Sequence, residues 1–206
     1  MSLKNYSDLI NLCYKYIRYD KTKNEDLNIE KYVKSSLDEL QNISQFKYIY
    51  SEYTDIIPIL NKEPYIKYFN GSKNYFLVAT TLGILVDKRI NQLMKINMPY
   101  AIVFNSCAAA YLEYLADNYE YNNLGNNLSY RFCPGYGGSS VSDLIELSKY
   151  LKLSSIGIEI FDSGMMLPEK SMFGIVAKNG NEKKSCDSCK ISKKCEYKKE
   201  GKTCYN

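Results

Sequence analysis

Tyr75-Phe76-Leu77-Val78-Ala79 leaves less freedom to the fold than any other segment of this 206-residue chain. Its five apolar residues run without a polar break and give way to Gly83 a few positions later. A run of strand length with no alternation is the pattern of a strand covered on both faces, so it predicts a well-buried strand that empties into a loop.

Helical patterns flank it. Ile10, Leu12, Cys13, Tyr16 and Ile17 recur at helical spacing, and a second helix is expected from near Leu27, with Val33, Leu37, Leu40 and Ile43 on its buried face. Residues 46 to 72 mix aromatic and β-branched residues with Pro58, Pro64 and Gly71, which favours short extended segments and turns over helix. Leu85 to Ile96 places Val86, Ile90, Leu93 and Met94 on one face and Lys88, Arg89 and Lys95 on another, an amphipathic helix. Pro99 interrupts, and Ala101 to Tyr119 follows as a longer helix in which Ala108, Ala109 and Ala110 admit a close neighbour. Ser140 with Asp143 three residues on predicts a capping-box-like start to a helix reaching Leu151. Ile156 to Ile160 and Met172 to Val176 read as strands paired with each other, with Gly164 to Pro168 between them. The sum is an α/β (α+β) domain whose elements do not repeat regularly, and no Gly-x-Gly-x-x-Gly supports a nicotinamide or flavin site.

Composition narrows the chemistry. The chain contains no histidine, which excludes Ser-His and Cys-His nucleophile pairs, a histidine general base and histidine ligation of zinc or cobalt. No apolar run reaches the eighteen or so residues of a membrane helix, and Met1 to Tyr16 lacks the features of a signal peptide, so a cytoplasmic protein is expected. Residues 181 to 206 carry eight lysines against Glu182, Asp187, Glu196 and Glu200, a surplus equal to the whole chain's net charge of +4. A neutral body over 1–180 with a basic tail over 181–206 points to an acidic partner, or to a solvated tail, rather than to a nucleic-acid groove.

A binding loop is expected at Arg131-Phe132-Cys133-Pro134-Gly135-Tyr136. Pro134 fixes φ, Gly135 reaches dihedrals closed to other residues, and Tyr136 offers a flat ring with a polar tip. Arg131 stands where its planar fork could hold a carboxylate or phosphate, and the predicted helix after Gly138 would add an anion-favouring N-terminus. Met165 and Met166 read as soft packing or as pocket lining.

Arg-x-x-Pro-Gly-Tyr at 131–136, a helix, a Gly-Ile strand and Met166-x-Pro168-x-x-Ser171 together resemble the reactivation domain of vitamin B12-dependent methionine synthase. The resemblance is firmest over 80–174; Ala79 to Gly83 and the alanine-rich helix resemble the stand-alone bacterial members. It implies a twisted, mainly antiparallel sheet with flanking helices. It also implies S-adenosylmethionine bound by Arg131, Pro134, Gly135 and Tyr136, with Tyr136 near the corrin during catalysis. Two acidic residues of the fused enzyme's site appear here as Ala109 and, roughly, Gly125, leaving Glu113, one helical turn beyond Ala109, as a stand-in; a further tyrosine has no counterpart in Ile175 to Lys178. The implied role is reductive reactivation of a cobalamin-dependent methyltransferase: the cobalamin belongs to a partner, methionine synthase or another corrinoid protein, and an electron comes from flavodoxin or ferredoxin. The alternative is a non-catalytic module that binds a corrinoid protein without S-adenosylmethionine.

The tail holds a second motif, Cys186-x-x-Cys189 followed by Cys195 and Cys204. Clustered thiolates among lysines favour metal binding over disulfides, either zinc or a [4Fe–4S] cluster, although the spacing matches neither a common zinc ribbon nor a bacterial ferredoxin. The stand-alone relatives end in a similar Cys-x-x-Cys and Cys-x-Tyr-Arg pattern, which Cys195-Glu196-Tyr197-Lys198 resembles with lysine in the last place. Cys13, Cys107 and Cys133 are expected to pack in or near the core.

Overall fold

The computed structural model describes residues 4–20, 26–178 and 192–201. Its elements, in chain order, are α1 (Tyr6–Ile17), α2 (Leu27–Ile43), β1 (Lys47–Tyr53), α3 (Tyr65–Phe69), β2 (Tyr75–Thr81), α4 (Ile84–Ile96) and α5 (Met98–Asn123). There follow α6 (Ser142–Leu147), β3 (Glu159–Ile160), β4 (Met166–Leu167), β5 (Ser171–Ala177) and α7 (Glu196–Lys199).

The expected well-buried strand is there, and β2 is buried at every position. It lies between antiparallel neighbours in the order β1-β2-β5, with Val78 opposite Tyr50 and Gly174. One face of this sheet, carrying Tyr75, Leu77, Ala79, Phe173 and Ile175, packs against Tyr65, Tyr68 and Phe69 of α3 and Leu144 and Leu147 of α6. The other face, carrying Phe76, Val78 and Val176, meets Leu124 and Leu128. A helical core stands beside it, with α1, α2 and α4 set around the 26-residue α5 through Leu9, Cys13, Leu37, Ile90, Phe104 and Cys107. Each fully buried side chain of this size stabilises the fold by about 1.5–3 kcal/mol relative to exposure, which is what fixes the helices' faces.

Local sequence sets the helix ends. Asn5 and Asp8 cap α1 reciprocally, each side chain accepting from the other's backbone N–H at 3.1 and 2.8 Å. Asn97 closes α4 with its N–H on Leu93 O (2.8 Å) and opens α5 with its side chain on Tyr100 N (3.1 Å). Pro99 therefore begins the long helix rather than interrupting it, in a first turn where its missing N–H costs nothing.

Three further expectations need correction. The 46–72 region, read as extended segments and turns, yields β1 but also α3, begun just after Pro64. The helix expected from Ser140 to Leu151 keeps only six residues in α6 before a 3-10 turn over Ser148–Tyr150. The strand at 172–176 pairs with β2 and not with 156–160, which places Phe173 and Ile175 on one packed face of the sheet and Val176 on the other. Ile156 instead ends a 3-10 turn and Gly157 turns the chain at φ 78°, leaving only Glu159 and Ile160 to pair with β4.

Candidate functional site

Leu128 and Phe132 form antiparallel bridges to Lys178 and Ile175, so residues 128–132 lie along the free edge of β5 as an interrupted fourth strand. Phe132 exchanges both backbone hydrogen bonds with Ile175, at 2.8 and 2.9 Å. The hydroxyl of Tyr68 fastens this edge, reaching the Tyr130 and Ile175 carbonyls at 2.6 and 2.9 Å and contacting Ser129.

Alternation along this edge sends Phe132 into the α3–α6 side and Arg131 toward α5. Arg131 crosses directly over Gly174, where an added Cβ would lie 2.5 Å from Arg131 Cγ and 2.9 Å from Cδ. Its guanidinium donates to Asp117 at 2.7 Å and to Glu120, and only 3% of the side chain is exposed. Glu120 also accepts from Tyr48 Oη at 2.7 Å, and Asp117 pairs with Lys4. Burial opposes the charge of Arg131, yet Glu120, Asp117 and Glu113 together raise its pKa well above the ordinary value. Burial likewise pushes the Glu120 carboxyl up, against the pull of Arg131 and Tyr48. Glu120 Oε2 and Arg131 Nε have no hydrogen-bond partner among the described residues. Arg131, expected as an open clasp at the loop's mouth, is thus an internal strut beneath it.

Glu113 continues the acidic row of α5 outward, four residues before Asp117 and on the same face. It accepts a hydrogen bond from Tyr16 Oη in the last turn of α1 at 2.6 Å. Burial and then Glu113 raise the Tyr16 phenol's pKa, with Tyr136 and Asp117 adding to the effect. Ala109 stands partly buried one turn before Glu113.

At the loop's tip the backbone closes on itself. Gly135 adopts φ 92°, its N–H donates to Ser139 Oγ at 2.9 Å, and that hydroxyl donates to Tyr136 O at 2.7 Å. Tyr136 is left 71% exposed, with Pro134 and Cys133 half-buried behind it. Asp143 anchors the far side, accepting from Lys62 Nζ and Tyr65 Oη, each at 2.8 Å. The anion-favouring helix start does not form: Ser142 N donates to Ser140 Oγ, Asp143 N to Ser140 O and Leu144 N to Val141 O.

The Gly164–Ser171 segment abuts this loop through Val141, whose Cγ1 lies 2.4 Å from where a Gly164 Cβ would stand. Asp87, in the first turn of α4, holds its other end by accepting from Glu169 N and Lys170 N at 2.6 and 3.3 Å. Met166 packs against the core and Met165 is exposed. Two clefts meet at Ile84, Gly157 and Pro168 along this segment, and the Tyr136 loop lines neither.

Pro134, Gly135 and Tyr136 form the loop's tip with Arg131 below it, and Glu113 stands on α5 against Tyr16, so the candidate site is the loop together with the acidic row that holds Arg131. Tyr16, Asp117, Glu120 and Tyr48 were not anticipated as part of it; the spacing of 113, 117 and 120 was the available signal. Cys186, Cys189 and Cys204 lie outside the described residues, and Cys195 is partly buried just ahead of α7. Among the described residues no group of three or more histidine, cysteine or acidic side chains is arranged to hold a metal ion. Cys13 and Cys107 are buried in the helical core as expected. No described helix is long and apolar enough to cross a membrane.

A small antiparallel sheet backed by helices, with an edge segment leading into an Arg-x-x-Pro-Gly-Tyr loop, defines an α+β fold of the activation-domain type. Among solved structures, the crystal structure of the MetH reactivation domain bound to AdoHcy shares this fold, covering 89% of this chain and 77% of that one with a TM-score of 0.55. Sequence identity is 14%, so the likeness is one of architecture. No protein-family model and no curated protein matches the sequence.

Proposed function

We propose that this protein reactivates a cobalamin-dependent methyltransferase carried by a partner, methionine synthase foremost, by presenting S-adenosylmethionine at the Tyr136 loop. The observation that carries the reading is the fold shared with the MetH reactivation domain, a protein whose solved structure holds AdoHcy. The loop motif supports it, because Gly135 holds a positive φ of 92° that other residues rarely adopt and Tyr136 stands open to a ligand. In this reading Gly135 and Tyr136 bind and orient the methyl donor, and holding a methyl group in line with its acceptor lowers the barrier by orientation. Pro134 stiffens the loop, and Arg131 positions it from beneath. The partner's cobalamin supplies the metal that takes the methyl group, and the electron comes from a flavodoxin or ferredoxin.

The commitment of Arg131 to Asp117 and Glu120 favours a second reading. With no free guanidinium for a ligand carboxylate, the same fold would serve as a docking module for a corrinoid protein that binds no S-adenosylmethionine. Anaerobic calorimetry separates the two. Titration of S-adenosylmethionine into the wild type should show saturable binding that Tyr136→Ala weakens; Tyr136 is exposed, so its removal leaves the fold intact. Complex formation with cobalamin-loaded methionine synthase, without any heat from S-adenosylmethionine alone or in the complex, would establish the docking module instead.

A further inference from the structure

We infer that the outer edge of β1 is a self-pairing surface, at which two copies of this chain join antiparallel about a two-fold axis at Tyr50 and extend one sheet across both. This surface lies apart from the Tyr136 loop and does not depend on the binding of S-adenosylmethionine.

Hydrogen-bond parity across the sheet identifies the edge. In an antiparallel sheet the N–H and C=O of one residue point to one side of the strand and those of the next residue to the other. Ile175 exchanges both of its bonds with Phe132, so Met172, Gly174 and Val176 turn theirs toward β2 and meet Thr80, Val78 and Phe76. Lys178 N on Asn74 O (2.8 Å) and Leu82 N on Lys170 O (2.9 Å) keep the same parity beyond both ends. Tyr75, Leu77, Ala79 and Thr81 therefore bond to Tyr53, Ser51, Ile49 and Lys47. The backbone groups of Tyr48, Tyr50 and Glu52 are left pointing away from the sheet, and no group among the described residues meets them.

Such a row of donors and acceptors is a template for another extended backbone. β1 keeps unbroken register with β2 over seven residues, without the bulge or proline that commonly guards an edge. Its side chains are held by the faces of the sheet: Ile49 and Tyr53 pack with Leu153 and Ile156 on one, and Tyr48 stacks on Tyr119 on the other, with ring centres 4.2 Å apart.

A second copy is the occupant that this strand fits. About a two-fold at Tyr50, Tyr48 faces Glu52, Ile49 faces Ser51 and Lys47 faces Tyr53, so no like charges stand opposite one another. Tyr50, 44% exposed, meets its own copy as an aromatic pair. Glu52 is already neutralised by Lys178, and charge over 1–180 is balanced, so the two bodies do not repel. Each facing pair of outward residues exchanges two backbone hydrogen bonds, and none of their groups is left over. The sheet's far edge is the interrupted segment at 128–132, held by two isolated bridges and offering no comparable row, so pairing closes at two copies. The Tyr136 loops follow that far edge and stay at opposite ends of the joined sheet.

The test is sedimentation of the full chain over a range of concentrations, with amide hydrogen exchange read at the low and high ends. Mass should double as concentration rises, and the amides of Tyr48, Tyr50 and Glu52 should become protected in step with it. Those of Ile49 and Ser51, bonded to β2, should be protected throughout. Tyr50→Pro removes one outward N–H and leaves the ladder to β2 whole, and Tyr50→Lys sets two like charges on the axis. Each should abolish the doubling while Ile49 and Ser51 stay protected, which shows that the strand still folds. A wild type that remains a single chain at every concentration overturns the inference. So does a dimer that survives both substitutions, or one in which the three outward amides exchange as they do in the single chain. Protection of these amides only on addition of a different protein would assign the edge to that protein and overturn the second copy.

Discussion

Gly174→Ala tests whether Arg131 is held as a strut. Gly174 lies in β5 opposite Val78 with no positive φ, so alanine meets no backbone strain there and should gain about 0.4–1 kcal/mol from a less flexible unfolded chain. The new Cβ, however, would stand 2.5 Å from Arg131 Cγ and 2.9 Å from Cδ. Ordinary carbon contacts begin near 3.5 Å, so the side chain must retreat by roughly 1 Å. These atoms are the middle of a side chain tethered at its far end by Asp117 and Glu120 and buried throughout. Overpacking of this kind costs about 1–3 kcal/mol, and about 3–5 kcal/mol if the guanidinium leaves its partners. The expected net loss is about 1–4 kcal/mol, read as a lowered urea midpoint at unchanged slope. The same substitution in an Arg131→Ala background should be neutral or stabilising, because the obstructing atoms are gone. Coupling of at least about 1 kcal/mol is expected from the four-member cycle. If Gly174→Ala costs nothing in the wild type, or costs the same in both backgrounds, Arg131 does not lie across β5 as described.

Burial raises the pKa of Asp143, but Lys62 and Tyr65 outweigh it and leave it below 3.8. Its stabilisation is thus present above the ordinary carboxylate range and lost as pH falls through the lower folded value. Unfolding free energy below about pH 4 should depend less on pH in Asp143→Asn than in wild type. Tyr68→Phe should cost about 0.5–1.5 kcal/mol in chemical denaturation, since it removes the hydroxyl that reaches the Tyr130 and Ile175 carbonyls while Ala177 N keeps Ser129 Oγ as its acceptor. Asp87→Ala should speed amide hydrogen exchange at Glu169 and Lys170 without altering exchange in β2, as their carboxylate acceptor is removed. Anaerobic purification followed by iron, sulfide and zinc analysis should find metal held by the tail thiols; replacing Cys186 and Cys189 with serine should remove it.

What the sequence made legible was mostly what apolar pattern decides. β2, α4, α5 and the buried face of α2 follow from spacing, because burial dictates which positions can be polar; on α1 the spacing found Cys13 but missed Leu9 and included Tyr16, which is exposed as Met94 is on α4. The pairing of 172–176 was not legible, since two short apolar runs near each other in sequence compete with a distant one and only the assembled sheet chooses. Within the candidate site, Tyr136 and Gly135 were recognisable from their chemistry. Arg131 was recognised as important and assigned the wrong surroundings: an arginine looks the same in sequence whether it faces a ligand or a helix. Asp117 and Glu120 share a helical face with Glu113, so their spacing carried the clue, but the crossing over Gly174 that delivers Arg131 to them is a tertiary event. Tyr16 was legible only as a helical residue, because its partner lies 97 positions away.

The strut under the loop also sets how the loop should behave in time. Arg131, Ser139 and Asp143 fix its shape through groups that a ligand at Tyr136 need not touch, so the ordering entropy is lost when the chain folds and not when a ligand arrives. Association at this site should accordingly follow a single phase whose observed rate rises linearly with ligand concentration, without the plateau that a slow closing step imposes.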